Sequence, residues 1–367
     1  MQKSSVYFTD MRCPIGTNLL DKLDKLIQTA GIEKIDFANR YVAIKIHFGE
    51  PGNLSFLRPN FAKTVVDCIK ALGGKPFLTD CSTLYVGRRS NALLHLDAAM
   101  ENGFSPLTTG CQNIIGDGLR GTDDIEVPIN GGEYLKTAMI GRAVMDADIV
   151  VSLNHFKGHE ATGFGGAIKN LGMGCGSRAG KMLMHNDGKP LVTQELCMGC
   201  RFCVDFCAHS AIEFFGGKAF INNEKCAGCG RCIGSCVYDA IETEYSSANE
   251  ILNYKIVEYS KAVVDGRPHF HISVVNQVSP YCDCHGENDA AIVPDIGMFA
   301  SFDPVALDKA CIDAVNAAPA LQGTILDGTE KKNDHFTSIH PTTDWRSQIK
   351  HAEKMGLGSA DYELITI

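Results

Sequence analysis

Short apolar runs alternate with longer amphipathic stretches along the first half of the chain. Four runs have the length and composition of strands, at 3–11, 40–49, 75–82 and 146–157. Three stretches carry apolar residues at helical spacing and are predicted helices, at 18–30, 59–72 and 133–145. Strands that alternate with helices in this way predict an α/β fold with a mostly parallel, doubly wound sheet.

The pattern resumes in the last third of the chain. It predicts a helix over 246–264, strands over 269–280 and 292–302, and a final helix that opens at Pro304. Asp303 is the expected N-cap of that helix, because a carboxylate accepts the unpaired amides of a first turn. We therefore expect residues 1–188 and 246–367 to build one α/β domain, with residues 189–245 inserted between its halves.

Eight of the sixteen cysteines fall into two runs with the spacing C-x2-C-x2-C-x3-C. The runs are Cys197, Cys200, Cys203 and Cys207, and then Cys226, Cys229, Cys232 and Cys236. Residues 190–245 resemble the bacterial two-cluster ferredoxins, in which each 4Fe–4S cluster takes three thiolates from one run and the fourth from the other. The resemblance implies one cluster on Cys197, Cys200, Cys203 and Cys236, and a second on Cys226, Cys229, Cys232 and Cys207.

Two alternatives to an electron relay stay open for this insert. Zinc ribbons need only C-x2-C pairs, and they have no use for the third cysteine of each run. Clusters can also serve only to stabilise an insert of about 55 residues that has little core of its own. Ala208 and Val237 follow the fourth cysteines where the ferredoxins have proline. Two clusters with interlocked ligands favour electron transfer, since a structural role needs only one.

Polar residues cluster where the predicted strands end, which is the edge at which open α/β sheets bind ligands. The candidate catalytic residues are Lys45, His47, His155, Lys157, His159 and Lys169. We predict that the three lysines hold an anionic small molecule and that the three histidines donate protons or act as ligands. A single histidine at a strand end is as often a hydrogen-bonded structural residue. Arg88 and Arg89 are candidates for holding a carboxylate or phosphate, or are simply solvated.

The segment 158–176 is rich in glycine. Gly163, Gly165 and Gly166 precede a predicted helix that contains Lys169, so free amides at its N-terminus are expected to bind an anionic cofactor or substrate. A tight glycine turn that packs on the sheet is the alternative. The P-loop and G-x-G-x-x-G spacings are absent. Further on, Cys282, Cys284 and His285 are candidate ligands of a third metal ion, or a reduced cysteine pair beside the core.

The charge and hydropathy of the chain exclude some classes of binding partner and indicate a compartment. The formal charge is -9 and the pI is about 5.7, so nucleic acid and anionic membranes are not expected partners. The N-terminus lacks the apolar core of a signal peptide, and no segment reaches the roughly 20 apolar residues that span a bilayer. Clustered cysteines are typical of metal ligation in a reducing compartment. We expect a cytoplasmic protein.

Long motifs link the chain to a known family. They are "IKIHFGE", "DCSTLYVGRRSNA", "NHFKGHEATGFGGAIKNLGMGCG", "YCDCHGEND" and "DIGMFASFDPVALDKACID". Together they resemble the bacterial and archaeal family catalogued as domain of unknown function 362, many members of which carry a ferredoxin-type insert. The segment 155–169 is also similar to the glycine-rich segment of nickel-pincer lactate racemases, and no role follows from that.

The hypothesis that best fits these features is an iron–sulfur oxidoreductase. Its insert passes single electrons to or from a small anionic substrate at the strand ends, with a ferredoxin or flavodoxin as a compatible partner protein. The alternatives are a non-redox isomerase or racemase whose clusters stabilise it or sense oxygen, and an electron-transfer subunit without its own reaction. The sequence is compatible with an additional metal ion or a flavin.

Overall fold

The computed structural model describes residues 3–84, 87–185, 189–207, 209–226, 231–236, 238, 240–243, 249–327, 329 and 334–367. The strands in chain order are β1 (Ser4–Asp10), β2 (Tyr41–Lys45), β3 (Lys75–Asp80), β4 (Asn113–Ile115), β5 (Asp124–Pro128), β6 (Thr137–Gly141), β7 (Ile149–His155), β8 (Lys157–His159), β9 (Gly163–Gly165), β10 (Pro190–Val192), β11 (Ile212–Phe215), β12 (Lys218–Ile221), β13 (Ile241–Thr243), β14 (His269–Val275), β15 (Gly297–Ser301) and β16 (Tyr362–Thr366).

The α-helices are α1 (Leu19–Thr29), α2 (Pro59–Ala71), α3 (Ala92–Glu101), α4 (Pro106–Thr109), α5 (Arg142–Asp146), α6 (Ala167–Cys175), α7 (Arg178–His185), α8 (Arg231–Ser235), α9 (Asn249–Val264), α10 (Pro304–Ala317), α11 (His335–Ile339) and α12 (Trp345–Lys354). Short 3-10 turns lie at Ile32–Lys34 and Phe202–Phe206. No helix in the described part of the chain is both long and apolar enough to cross a bilayer.

Eight strands form the central sheet in the order β16-β1-β15-β14-β7-β2-β3-β4. β15 is antiparallel to its neighbours β1 and β14, and the other adjacent pairs are parallel. All strands except β15 therefore run in one direction, and their carboxyl ends share one edge. The expected α/β fold with a mostly parallel sheet is confirmed, and strands from both flanks of the cysteine insert contribute to the one sheet.

Helices cover both faces of this sheet, as in a doubly wound fold. α1 and α2 pack on one face through Leu23, Leu26, Val65 and Ile69. On the other face α6, α9, α10 and α12 share a second core. β7 is buried at every position, as a central strand covered on both faces must be.

The predicted cap of α10 is confirmed, and α1 has a cap that was not predicted. Asn18 accepts the amides of Leu20 at 2.9 Å and Asp21 at 3.0 Å at the start of α1. Asp303 accepts the amide of Val305 at 2.8 Å, and Pro304 is the first residue of α10.

The predicted helix over 133–145 is wrong. Residues 137–141 form β6, which pairs with β5, and α5 begins only at Arg142. The strand forms because β5 is its pairing partner, from Asp124 opposite Gly141 to Pro128 opposite Thr137. The residues before it are held by Glu258 on α9, whose carboxylate accepts the amides of Glu133, Tyr134 and Leu135 at 2.7 to 3.0 Å. Both partners lie outside the segment 133–145.

The residues 189–243, which we call the cysteine unit, form strand pairs separate from the central sheet. β10 pairs antiparallel with β13, and β11 pairs antiparallel with β12. The first pair joins the two ends of the unit, so the chain enters and leaves it at the same place.

Candidate functional site

The carboxyl ends of β2, β3 and β7 open onto a cavity of about 390 Å³, which we call the strand-end cavity. At this edge the chain order reverses, with β3 and β4 on one side of β2 and β7 and β14 on the other. Such switch points are where α/β folds bind ligands. The predicted residues that line the cavity are Lys45, His47, Arg89, His155, Lys157, His159, Gly165, Gly166, Lys169, Cys282, Cys284 and His285.

Lys45 is buried in an ion pair beneath the cavity. Its Nζ lies 2.9 Å from Asp80 Oδ1 and donates to Asn170 Oδ1 at 2.6 Å. Burial raises the pKa of Asp80, but Lys45 and His95 outweigh it and hold that pKa well below its usual range. The charge of Lys45 is thus already balanced by a carboxylate within the protein, which leaves less of it for the anion that we predicted.

Arg88 and Arg89 do not act together, which corrects the expectation of a guanidinium pair. Arg88 turns away from the cavity to pair with Glu101, and its side chain is 42% exposed. Arg89 is buried and donates from Nε to Glu50 Oε2 at 2.7 Å. The two residues lie in a turn that the Ser90 amide closes on the Gly87 carbonyl at 3.3 Å, and of the two only Arg89 lines the cavity.

His47 lies beside Arg89, with its Nε2 2.9 Å from Nη1 of that arginine. Its Nδ1 accepts the amide of Gly49 at 3.0 Å. Burial, and then the charge of Arg89, lower the pKa of His47 well below its usual range. The ring is neutral at pH 7, so it has no acidic proton to donate there, whereas a role as a ligand is compatible with its charge state.

Asp283 connects two further candidates. It is fully buried, with Oδ2 2.9 Å from His155 Nδ1 and 3.1 Å from Lys157 Nζ. The other ring nitrogen of His155 lies 2.8 Å from the carbonyl of Asn276. Burial raises the pKa of Asp283, but His155 and Lys157 lower it more strongly, so it stays ionised. Both nitrogens of His155 face acceptors, and the ring holds the loop of Asp283 in place.

Two cysteines flank Asp283 at the cavity wall. Lys169 Nζ lies 3.5 Å from Cys282 Sγ, and the ligand-type atoms of His159, Cys282 and Cys284 lie within 4.8 Å of one another. A second group, formed by Glu160, Cys284 and His285, meets the same limit. The sequence grouped Cys282, Cys284 and His285, and the structure adds His159 and Glu160. This set has the donors either to hold a soft metal ion or to surround a thiolate.

The N-terminus of α6 is occupied from within the protein, which corrects the prediction of free amides after Gly163, Gly165 and Gly166. Asp308 on α10 accepts the amide of Ala167 at 2.7 Å and that of Ile168 at 2.9 Å. A Cβ at Gly166 would lie 2.2 Å from Asp308 Oδ1, so this glycine makes room for the carboxylate. Gly163 does not line the cavity. The carboxyl group of Asp308 therefore occupies this helix terminus.

Replacing Asp308 with alanine is expected to lower the free energy of unfolding by about 2–4 kcal/mol, because two buried amides lose their acceptor. Burial raises the pKa of Asp308 to about 7. The unfolding is measured by chemical denaturation. Asp313→Ala is the control, since its carboxylate on the same helix is 42% exposed and pairs with Lys309. The control should cost about 1 kcal/mol or less. Equal losses from both variants would contradict this assignment.

Four cysteines line a small cavity of about 20 Å³ inside the cysteine unit, and they are Cys197, Cys200, Cys203 and Cys236. Two of these sulfurs accept amides, Cys197 from Ala219 at 3.4 Å and Cys236 from Ala240 at 3.3 Å. Cys207 accepts from Ala211 at 3.3 Å, which repeats the contact of Cys236 in the other half of the unit. Among the ligands expected for the second cluster, Cys229 lies outside the described residues.

The cysteine unit packs against the strand-end cavity. Leu84 and Met182 share one apolar cluster with Cys197, Cys203 and Cys232, and Leu84 also lines the strand-end cavity. The guanidinium of Arg120 lies 4.6 Å from the ring centre of Phe206, which adds a second contact between the unit and the α/β domain.

Sequence reasoning missed four residues that organise the site, and they are Asn170, Lys181, Asp283 and Asp308. Asp283 had a signal, since it lies between the two cysteines of the "CDCHG" stretch. Asn170 directly follows Lys169. No sequence pattern indicated a role for Asp308, because it is about 140 residues from the amides that it accepts and lies within an apolar helix.

Comparisons with known proteins give a family and distant likenesses. A family model described as a domain of unknown function (DUF362) matches residues 42–313. A thylakoid-associated protein of Synechocystis sp. is 28% identical over 131 residues, which cover 34% of this chain and 35% of that protein. The chain thus spans about a third of the length of the curated relative that it matches.

Two solved structures are similar to parts of this fold. The lactate racemase apoprotein from Thermoanaerobacterium thermosaccharolyticum has 12% identity and a TM-score of 0.37, over 74% of this chain and 51% of that chain. A structural genomics protein from Thermotoga maritima has 12% identity and a TM-score of 0.40, over 80% of this chain and 57% of that chain. Neither match supplies a reaction for the strand-end cavity.

Proposed function

The chain belongs to the DUF362 family, and we propose that it is an iron–sulfur oxidoreductase. In this proposal the cysteine unit holds two 4Fe–4S clusters, which exchange single electrons with a small anionic molecule in the strand-end cavity. The observation that carries it is the position of Leu84, which lines the cavity and belongs to the same apolar cluster as Cys197, Cys203 and Cys232 of the unit. Electron transfer requires such proximity.

The donor set of the cysteine unit supports clusters over zinc. A zinc ribbon takes one C-x2-C pair from each of two loops, whereas this cavity is lined by three cysteines of the first run, Cys197, Cys200 and Cys203. Cys236 comes from the second run, as interlocked two-cluster ligation requires. The amides of Ala219 and Ala240 point at sulfur, as they do around clusters whose potential is tuned by hydrogen bonds.

The strand-end cavity suits a small anion because of two lysines. Lys45 and Lys157 are paired with Asp80 and Asp283. Within the described part of the chain, Lys169 and Lys181 line the cavity and form no ion pair with a carboxylate. A group with negative charge therefore meets two lysines that no carboxylate neutralises, of which Lys169 also lies 3.5 Å from Cys282 Sγ. A volume of about 390 Å³ admits a small molecule.

The first arm of the test counts metals. Anaerobically purified protein is expected to contain about eight iron and about eight sulfide ions per chain, with little zinc. Reduction should produce the EPR signals of 4Fe–4S clusters. Stoichiometric zinc with hardly any iron would exclude the proposal.

The second arm tests whether a charge at the cavity wall changes the reduction potential of a cluster. Lys181 lies on the cavity wall next to Met182, which belongs to the same apolar cluster as Cys197, Cys203 and Cys232. Lys181→Met should lower the reduction potential of the nearer cluster, since a nearby cation stabilises the reduced form. Lys350→Met is the matched control, because Lys350 is exposed on α12, and it should leave both potentials unchanged. Unchanged potentials in Lys181→Met would favour clusters that only stabilise the fold.

A further inference from the structure

The sulfur of Cys282 is surrounded by donors. The backbone amide of Cys284 donates to it at 3.4 Å and Lys169 Nζ at 3.5 Å. The sulfur of Cys284 and a ring nitrogen of His159 lie within 4.8 Å of it. Four donors around one buried sulfur stabilise a thiolate. The thiol of Cys284, the amine of Lys169 and the ring of His159 hold the pKa of Cys282 well below its usual range against the effect of burial, while the pKa of Cys284 is raised.

The hydrogen bonds of His159 decide between a thiolate and a metal ion. Its Nδ1 accepts the amides of Ala161 at 3.1 Å and Thr162 at 3.2 Å. Because backbone amides only donate, Nδ1 carries no proton, and the proton of the neutral ring lies on Nε2. A histidine that binds a metal normally donates its other N–H to an acceptor, which is the reverse of this arrangement. The Nε2 proton of His159 therefore faces two acceptors, Cys282 Sγ within 4.8 Å and Glu160 Oε1 at 3.8 Å.

The loop that carries the two cysteines is closed and anchored. The amide of His285 donates to the carbonyl of Cys282 at 3.2 Å, which closes a turn over both cysteines. Between them Asp283 is fixed by His155 and Lys157. Residues two apart within such a turn are close enough for their sulfurs to bond after a change of rotamer, and the two sulfurs already lie within 4.8 Å.

We propose that Cys282 and Cys284 are a redox-active dithiol that reduces a small anionic disulfide in the strand-end cavity. Cys282 is the attacking thiolate and Cys284 the resolving thiol. This inference rests on the proposed function for its electron source, since two one-electron clusters together carry the two electrons that a disulfide needs.

The steps balance. The Cys282 thiolate attacks one substrate sulfur, the substrate S–S bond breaks, and one substrate thiolate leaves. Cys284 then gives up its proton and attacks Cys282 Sγ, which releases the second substrate thiol and leaves a Cys282–Cys284 disulfide. Two electrons and one proton return the pair to the Cys282 thiolate and the Cys284 thiol. Lys169 and His159 keep their protons throughout.

The test uses the anaerobic holoprotein and 5,5′-dithiobis(2-nitrobenzoate), an anionic disulfide that releases a coloured thiolate. The tryptic peptide 262–309 contains Cys282 and Cys284 as its only cysteines. Treatment should convert this peptide to a form lighter by two hydrogens, which is the internal disulfide. Cys284→Ser should instead retain one nitrobenzoate group on Cys282. Cys13→Ser, which changes an exposed cysteine, should behave like the parent protein.

A competition within one cavity measures the reactivity of Cys282. Cys81 also lines the cavity, and burial raises its pKa well above the usual range. With limiting iodoacetamide near pH 7, Cys282 should be alkylated at least about tenfold faster than Cys81, because only thiolates react. Equal rates would overturn the inference. So would a stoichiometric metal ion that is lost on Cys282→Ser, in protein whose thermal unfolding is unchanged.

A last arm separates this inference from the proposed function. Protein that carries the Cys282–Cys284 disulfide is mixed with a reduced ferredoxin, and peptide 262–309 should regain two hydrogens. In Cys236→Ser the disulfide should still form, but its reduction should slow at least about tenfold if the clusters supply the electrons. Unslowed reduction would refute the relay and leave the dithiol standing. Intact clusters without any disulfide formation would refute the dithiol alone.

Discussion

Serine at position 236 is expected to remove one cluster and to reduce the iron content from about eight to about four ions per chain. Cys236 lines the small cavity with Cys197, Cys200 and Cys203, although it belongs to the second cysteine run. Its loss should therefore destroy the cluster of the first run. Iron analysis gives the size of the effect, and EPR of the reduced protein identifies the cluster that remains.

The identity of the surviving cluster is the sharper result. Crosswise ligation predicts that the spectrum of Cys236→Ser matches that of Cys200→Ser, and that Cys207→Ser matches Cys226→Ser. If each run held its own cluster, Cys236→Ser would match Cys226→Ser instead, and the pairing argued above would be wrong. Cys13→Ser should keep the full iron content, since Cys13 is exposed and outside both runs.

The sheet was predictable from sequence because its signals are local. Apolar runs such as those of β2 and β7 read as strands whatever surrounds them, and caps such as Asn18 and Asp303 act within one turn of their own helix. Where a distant residue intervenes, the same reasoning fails. β6 pairs with β5, and Glu258 accepts the amides that precede β6. Neither contact can be inferred from the residue pattern within 133–145.

The site was predictable only as a set of residue types at one edge of the sheet. Polar residues after parallel strands meet there for geometric reasons, so the sequence located many of the polar residues of the cavity wall. Their charge balance was not predictable, because it depends on which acid each base meets. Lys45 meets Asp80, Lys157 meets Asp283, and the amides of α6 meet Asp308, from elements far apart in sequence. Among the described residues, the lysines of the cavity wall that no carboxylate neutralises are therefore Lys169, which lies beside Cys282, and Lys181.

This pairing changes what the cavity residues do. His155 and Lys157 were predicted to act on a bound molecule, and the structure gives both a partner in Asp283. Through Asp283 they fix the turn that contains Cys282 and Cys284. A substitution such as His155→Ala would then act by displacing that turn, so an effect on turnover alone does not make His155 a proton donor.

Removal of the Asp80 carboxylate tests the buried ion pair with Lys45 and has the largest expected effect on stability. Asp80→Ala should lower the free energy of unfolding by about 3–5 kcal/mol, because Lys45 is left as an uncompensated buried charge. Lys45 is wholly buried, and Arg89 also lies near Asp80, at 3.7 Å. Denaturant unfolding measures the change. Asp67→Ala is the control, since that carboxylate is 55% exposed and pairs with Lys63, and it should cost less than about 1 kcal/mol.

A double variant and a pH series make the Asp80 prediction specific. If the cost comes from the unpaired charge, Lys45→Met with Asp80→Leu should recover most of the loss, whereas additive losses would contradict an ion pair. The folded-state pKa of Asp80 lies well below 3.8, so its contribution is present above that value and is lost as the pH falls through the folded-state pKa. Asp80→Ala and the parent protein should therefore differ most at neutral pH and converge in acid. A difference that stays constant down to the acid limit would assign the effect to lost packing.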